Sequence, residues 1–243
     1  MPKKQSVSSI KVSVSAKNSE QKEMLRAVSQ HDITFVKGFP GSGKTYLAVG
    51  FGLQSLLHED YDQLIFTRPV VEAGGEKLGF LPGNMYEKID PYMIPIFETL
   101  GKLLPPHALN TLMPKNGNGN GNGNGNGNGV QQSAIRVLPL AYMRGVTFTN
   151  SFIICDEMQN STPEQMRMLL TRLGEGSKMV LCGDVYQTDI IKPNGLSDAF
   201  ALLQNINGVG FVTLTEEAIM RHPVIHQIEN RYLGRHAKKK NTD

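Results

Sequence analysis

The chain has 243 residues, a formal net charge of +3 at pH 7, 40% hydrophobic residues and 19% charged residues. That is the size of one α/β domain with modest extensions, and its apolar content is enough to bury a full core. No apolar run approaches the roughly 18 residues that cross a bilayer, and the polar, Lys-bearing start is not a signal peptide, so a soluble cytoplasmic protein with no membrane partner is expected.

Residues 1–18 are rich in Ser and Lys with little periodicity, which predicts a flexible leader. Met24, Leu25 and Val28 then have the spacing of an amphipathic helix over Ser19 to Gln30. Ile33-Thr34-Phe35-Val36 reads as a strand that ends in a glycine-rich turn, and an apolar helix follows to about Leu57. Leu64 to Thr67 is a second buried strand. A stretch dense in Gly and Pro comes next, from Arg68 to Gly83, and then a helix across Pro91 to Leu104. Residues 116–129 are an unbroken Asn-Gly repeat with no side chains to bury, expected to be disordered and assigned no function.

Beyond the repeat, strands are expected at Ile135 to Leu138, Phe152 to Cys155, Met179 to Cys182 and Phe211 to Leu214. Thr162-Pro163-Glu164-Gln165 is a helix start, with a Thr cap, Pro at the first helical position and Gln three residues after the cap; the helix should run to about Leu173. A last helix is expected over Pro223 to Tyr232, and residues 233–243 form a basic tail. Lysines and arginines at both termini either meet a polyanion or are solvated ends. The two cysteines, Cys155 and Cys182, lie inside apolar runs and read as core thiols.

Strands alternating with helices imply an α/β fold. Its sheet should be mainly parallel, covered on both faces, with the binding crevice at the carboxyl ends of the strands. Residues 19–232 are expected to be one domain of this kind. At the first of those ends, Gly38-Phe39-Pro40-Gly41-Ser42-Gly43-Lys44-Thr45 matches G-x-x-x-x-G-K-[ST] in the strand-to-helix context the motif requires, and Tyr46 follows directly. The ligand implied is ATP with Mg²⁺. Glycines let backbone N–H groups wrap the phosphates, Lys44 reaches the β and γ phosphates, and the Thr45 hydroxyl is a Mg²⁺ ligand. An apolar strand ending in Asp156-Glu157 would supply Asp156 to the Mg²⁺ shell and Glu157 to the attacking water; alone it is a weak signal, with the P-loop a strong one. Leu181-Cys182-Gly183-Asp184-Val185-Tyr186-Gln187 is a third strand and turn, where Gln187 either senses the γ phosphate or is part of a plain turn.

With these motifs the chain resembles PhoH-family ATPases, relatives of the motor cores of superfamily-one helicases. The resemblance covers about Ser19 to Tyr232 apart from the repeat. It is carried by the P-loop, Thr67-Arg68-Pro69, residues 76–83 and 88–92, Pro139 to Gly145, Asp156-Glu157-Met158-Gln159-Asn160, Thr162 to Met166, Gly183-Asp184 with Gln187, and Arg221-His222-Pro223. It implies a RecA-like core and three further roles. Gln21 is similar to a glutamine that reads adenine, as against an exposed helix residue. Arg68 and Arg144 fall near the nucleotide or a nucleic-acid track, and Arg221 looks like a charge-stabilising arginine. Met158 stands where the family pattern has Ala, and Gly74-Gly75 carries one glycine more than that pattern.

The family relationship implies a homo-oligomer, with a hexameric ring as one form, in which Arg221 completes a neighbour's site. Two functions fit: an RNA-dependent motor or helicase with no nuclease domain of its own, and an ATP-driven switch in the phosphate-starvation or stress response that acts on a protein partner. A small-molecule kinase is disfavoured because Asp156-Glu157 followed by Gln159, together with Gly183-Asp184 and Gln187, favours water as the acceptor.

Overall fold

The computed structural model describes residues 10–70, 85–113, 133–185, 187–190 and 194–220, together with 224 and 231. Six parallel strands form one sheet: β1 Ile33–Gly38, β2 Gln63–Arg68, β3 Ile135–Pro139, β4 Ser151–Cys155, β5 Lys178–Gly183 and β6 Val209–Leu214. Their spatial order is β3-β2-β4-β5-β1-β6, so every carboxyl end opens on the same edge of the sheet. The helices are α1 Ser19–Gln30, α2 Lys44–Leu57, α3 Met85–Leu103, α4 Pro106–Leu112, α5 Pro163–Leu170 and α6 Gly195–Leu202. This is the expected α/β P-loop core.

Side chains alternate across the sheet and divide the core in two. Leu64, Phe66, Phe152, Ile154, Val180 and Cys182 pack with α1 to α4, whereas Ile65, Ile153, Cys155, Met179 and Leu181 pack with α5 and α6. Central strand β4 is buried at all its positions, because helices cover both of its faces and leave no polar side to alternate with. Both cysteines are free and buried, as expected of core thiols. Burial pushes both thiols up, so they stay protonated and unreactive.

Local chemistry sets the helix starts. Asn18 Oδ1 accepts from the Gln21 N–H at 2.8 Å to open α1. The expected capping box is present at α5: Thr162 Oγ1 accepts from Gln165 N and Gln165 Oε1 accepts from Thr162 N. Helix α5 stops at Leu170, short of Leu173. There the chain is drawn into a bridge with residue 148, where Phe148 N donates to Arg172 O and Gly174 N donates to Phe148 O. Helix α3 begins at Met85 rather than Pro91 and buries Met93, Ile96 and Leu100. The Asn-Gly repeat, the Gly- and Pro-rich segment after 70, the basic tail and most of the final expected helix lie outside the described residues.

One difference bears on the site. Residues 10–18, expected to belong to a flexible leader, lie as an extended strap along α2. Val12 is 9% exposed and its carbonyl accepts from Gln54 Nε2 at 3.0 Å. Val14 fills the space over Gly50, where a Cβ would come within 2.0 Å of a Val14 methyl. Lys17 N then donates to Gln21 Oε1 at 2.8 Å, which ties the strap to α1. The low apolar content of the segment hides these contacts, because alternate residues alone make them. Removing residues 1–16 exposes that surface of α2. Losing Val12 burial alone costs about 2 kcal/mol, so the melting temperature should fall by about 4–8 °C in calorimetry, where loss of a free leader would change nothing.

Candidate nucleotide site

Five neighbouring strand ends build the crevice, in the order β2, β4, β5, β1 and β6. The turn after β1 is the P-loop, with Gly41 and Gly43 at φ 81° and 88°, a left-handed backbone that glycine enters without a Cβ penalty. Most of its carbonyls are engaged by other parts of the chain. Gly38 O and Phe39 O accept from Lys44 Nζ at 2.6 and 2.8 Å, and Phe39 O also accepts from Ser42 Oγ. Gly41 O accepts from Met220 N at 3.0 Å, Ser42 O from Gln21 Nε2 at 3.0 Å, and Gly43 O from Leu47 N at 2.9 Å. A loop whose oxygens are held this way presents its N–H edge to the crevice at the positive end of α2, the arrangement that receives an anion such as a phosphate. Pro40, between these residues, needs no N–H partner of its own.

Lys44 is nearly buried. Desolvation lowers its pKa, and the nearby Cys182, Asp184, Asp156 and Glu157 act in the opposite direction. Next to it, Thr45 Oγ1 donates to Asp156 Oδ1 at 2.7 Å, so the hydroxyl of α2 and the carboxylate after β4 meet across β5. Asp156 is 7% exposed, and burial followed by the charge of Glu157 raises its pKa, while the Thr45 hydroxyl and Arg68 pull it down. A hydroxyl and one carboxylate fit Mg²⁺, which keeps several waters and takes its remaining ligands from phosphates. Among the described residues no cluster of three or more His, Cys, Asp or Glu could hold a metal without such a partner.

Glu157 has φ 54°, a left-handed conformation uncommon outside glycine that costs about 1–3 kcal/mol. It turns the chain sharply out of the strand and leaves the Glu157 side chain 37% exposed beside Asp156. Arg68 Nη2, at the end of β2, lies 3.6 Å from Glu157 Oε1.

Most of the residues picked out in the sequence therefore come together: residues 38–45, Gln21, Arg68, Asp156 and Glu157. Gln21 is buried against the P-loop at 3% exposure, which removes the alternative of an exposed helix residue. Tyr46 is 41% exposed on the first turn of α2. Gln187 is exposed in the turn after β5, with its N–H donating to Asp184 O at 3.2 Å. Arg144 is exposed at the end of the 3-10 turn that follows β3. Arg221 lies outside the described residues; its neighbour Met220 is the one bonded to Gly41. Sequence reasoning used Gln159 only as part of the motif that favours water as acceptor and gave it no partner, whereas it is 2% exposed and bonded to Glu157; it gave no role to the backbone of Met220. The first stood inside the acidic motif and was visible there; the second has no side-chain signal at all.

The sequence profile of the PhoH-like protein family matches residues 13–233. The chain is 42% identical over 221 residues to a PhoH-like protein of Synechocystis sp., covering 90% of this chain and 62% of that protein. It is 40% identical to a PhoH-like protein of Bacillus subtilis, with 90% and 64% covered, and 35% identical to Protein PhoH of Escherichia coli K12, with 89% and 57% covered. The chain thus spans between 57% and 64% of the length of these relatives. Among solved structures, it is similar to unliganded Pif1 from Bacteroides sp., with TM-score 0.35 at 15% identity, covering 86% of this chain and 43% of that one. It is also similar to the Sulfolobus solfataricus SWI2/SNF2 ATPase core in complex with dsDNA, with TM-score 0.41 at 11% identity, covering 72% and 33%.

The buried charge gives a pH prediction. With its folded pKa raised, the Asp156 carboxyl favours the protonated native state. That stabilisation is complete below the unfolded value and is lost as pH rises through the folded value. In chelator and without nucleotide, Asp156→Asn should therefore melt above the wild type at pH 8, and the gap should close toward pH 4. A variant that melts at or below the wild type at both pH values would contradict this account of the site.

Proposed function

The chain belongs to the PhoH-like protein family, with a P-loop nucleotide-binding core, and from that premise we propose that it hydrolyses ATP with Mg²⁺ and couples hydrolysis to RNA. The observation that carries the hydrolytic reading is the Thr45–Asp156 contact at 2.7 Å with Glu157 at the next position. It brings together, at the end of the P-loop, the hydroxyl and carboxylate that this reading assigns to Mg²⁺, with a second, more exposed carboxylate at the next residue.

In this reading Thr45 and Asp156 hold the Mg²⁺, which would neutralise charge on the β and γ phosphates. Lys44 exchanges its carbonyl partners Gly38 and Phe39 for phosphate oxygens, keeping its charge-assisted bonds. Glu157 accepts a proton from the attacking water, and Gln187 contacts the γ phosphate or that water from the turn after β5. Gln21 and Tyr46 flank the loop on the side where the nucleobase would lie. Water as acceptor follows from a carboxylate base placed next to the metal ligands.

RNA is proposed from the exposed turn that follows edge strand β3. Tyr142 is 42% exposed there and Arg144 follows it, a ring able to stack on a base beside a cation able to meet phosphate. The assembly proposed is a homo-oligomer in which Arg221 stabilises transition-state charge across an interface. Mixing Lys44→Ala subunits with Arg221→Ala subunits tests this: recovery of hydrolysis is expected, and no recovery would put Arg221 to work within its own chain.

Phosphate release should rise when single-stranded RNA is added, with the stimulation falling steeply as salt increases. Glu157→Gln should lower the rate at least about 100-fold, the contribution typical of a general base. Release abolished by that substitution yet indifferent to RNA would keep the ATPase and favour the switch with a protein partner. A phosphorylated small molecule formed in step with ADP would replace hydrolysis by a kinase reaction.

A further inference from the structure

Gln159 lies in the short 3-10 turn Met158–Asn160 that follows the acidic pair, and its carboxamide is engaged at both ends. Nε2 donates to Glu157 Oε2 at 2.5 Å, and Oε1 accepts from the Asp184 N–H, at the end of β5, at 3.0 Å. Its main-chain carbonyl accepts from Thr188 Oγ1 at 3.1 Å. The next residue repeats the connection: Asn160 Oδ1 accepts from Asp189 N at 2.8 Å, and Asn160 Nδ2 donates to Asp189 Oδ2 at 3.1 Å. Gly183 makes room for this. A Cβ there would stand 2.6 Å from Gln159 Oε1 and 3.0 Å from Gln159 N, so the strand end has no space for a side chain. The turns after β4 and β5 are thus joined through residues 159 and 160, and one end of the join is the carboxylate read as the base.

A base must keep one oxygen on the water through the reaction, and a half-exposed glutamate has rotamer freedom that works against this. Arg68 lies 3.6 Å from Oε1, a distance that constrains little, whereas the Gln159 bond to Oε2 is short and comes from a buried side chain. We propose that Gln159 is the positioning residue for the hydrolytic base: it fixes the Glu157 carboxylate against the β5 turn that carries Gln187, so that base and turn keep one geometry. This inference rests on the ATP-hydrolysis reading of the site.

The test is steady-state phosphate release, fluorescent ADP-analogue binding and thermal melting of the full chain carrying Gln159→Met or Gln159→Glu. Gln159→Met removes both bonds at nearly constant volume. Gln159→Glu keeps an acceptor for Asp184 N but replaces the donor to Glu157 with a carboxylate, which repels it. In both, kcat should fall about tenfold or more, part of what a general base supplies, while KM for ATP and analogue affinity stay within about twofold. Added to Glu157→Gln, neither substitution should lower the residual rate further, because the group it positions is already gone. A purely structural glutamine would instead lower the melting temperature and leave kcat per folded molecule unchanged. Such a kcat in either folded variant, or failure of both to fold, would overturn the proposal. Equal rates in wild type and Glu157→Gln would instead remove the base assignment itself, whatever the Gln159 variants do.

Discussion

A hydroxyl on the first turn of α2 and a carboxylate at the end of β4 meet at 2.7 Å, although a whole strand separates the elements that carry them. Neighbouring strands stand about 4.8 Å apart, so these two must each reach over β5. The contact therefore needs parallel strands with aligned carboxyl ends, which the register supplies by pairing Cys155 with Leu181 and Lys37 with Gly183. At the end of β5, Gly183 has no side chain, which leaves room for Gln159 and Leu196 beside the contact. Lys44, Asp156 and Asp184 are all buried around that point. Concentrating charge in this way costs stability, and the two-sided apolar core beneath the crevice offsets it.

The P-loop is shaped by elements that are distant in the sequence. Gln21 holds Ser42 from one side and Met220 holds Gly41 from another. Those two braces are themselves joined, because Glu20 accepts from both the N–H and the hydroxyl of Thr215, at 2.7 and 2.6 Å. The strap over α2 adds a further tie through Lys17 to Gln21. The result is a phosphate cradle whose conformation is set before a ligand arrives, which is how fixed dipoles become effective in binding and catalysis.

The sequence by itself determined the fold class and the position of every strand, because buried parallel strands must be short continuous runs of apolar residues. It also determined the P-loop, whose glycines and Lys-Thr pair are required by backbone geometry and phosphate chemistry that few other sites share. The capping box at Thr162 was legible for the same reason, since its partners are three residues apart. Tertiary structure alone decided what depends on pairs far apart in the chain. Val12 and Val14 look like part of a solvated leader until Gln54 and Gly50 are brought beneath them. Gln21 stood out only through the family resemblance, and nothing in its helix spacing announced the loop carbonyl of Ser42 that lies 3.0 Å from its amide. Gln159 shows its role only when Asp184 is adjacent. A hydrogen bond between remote residues leaves no periodicity and no fixed spacing, so it becomes visible only once the sheet has set the distances.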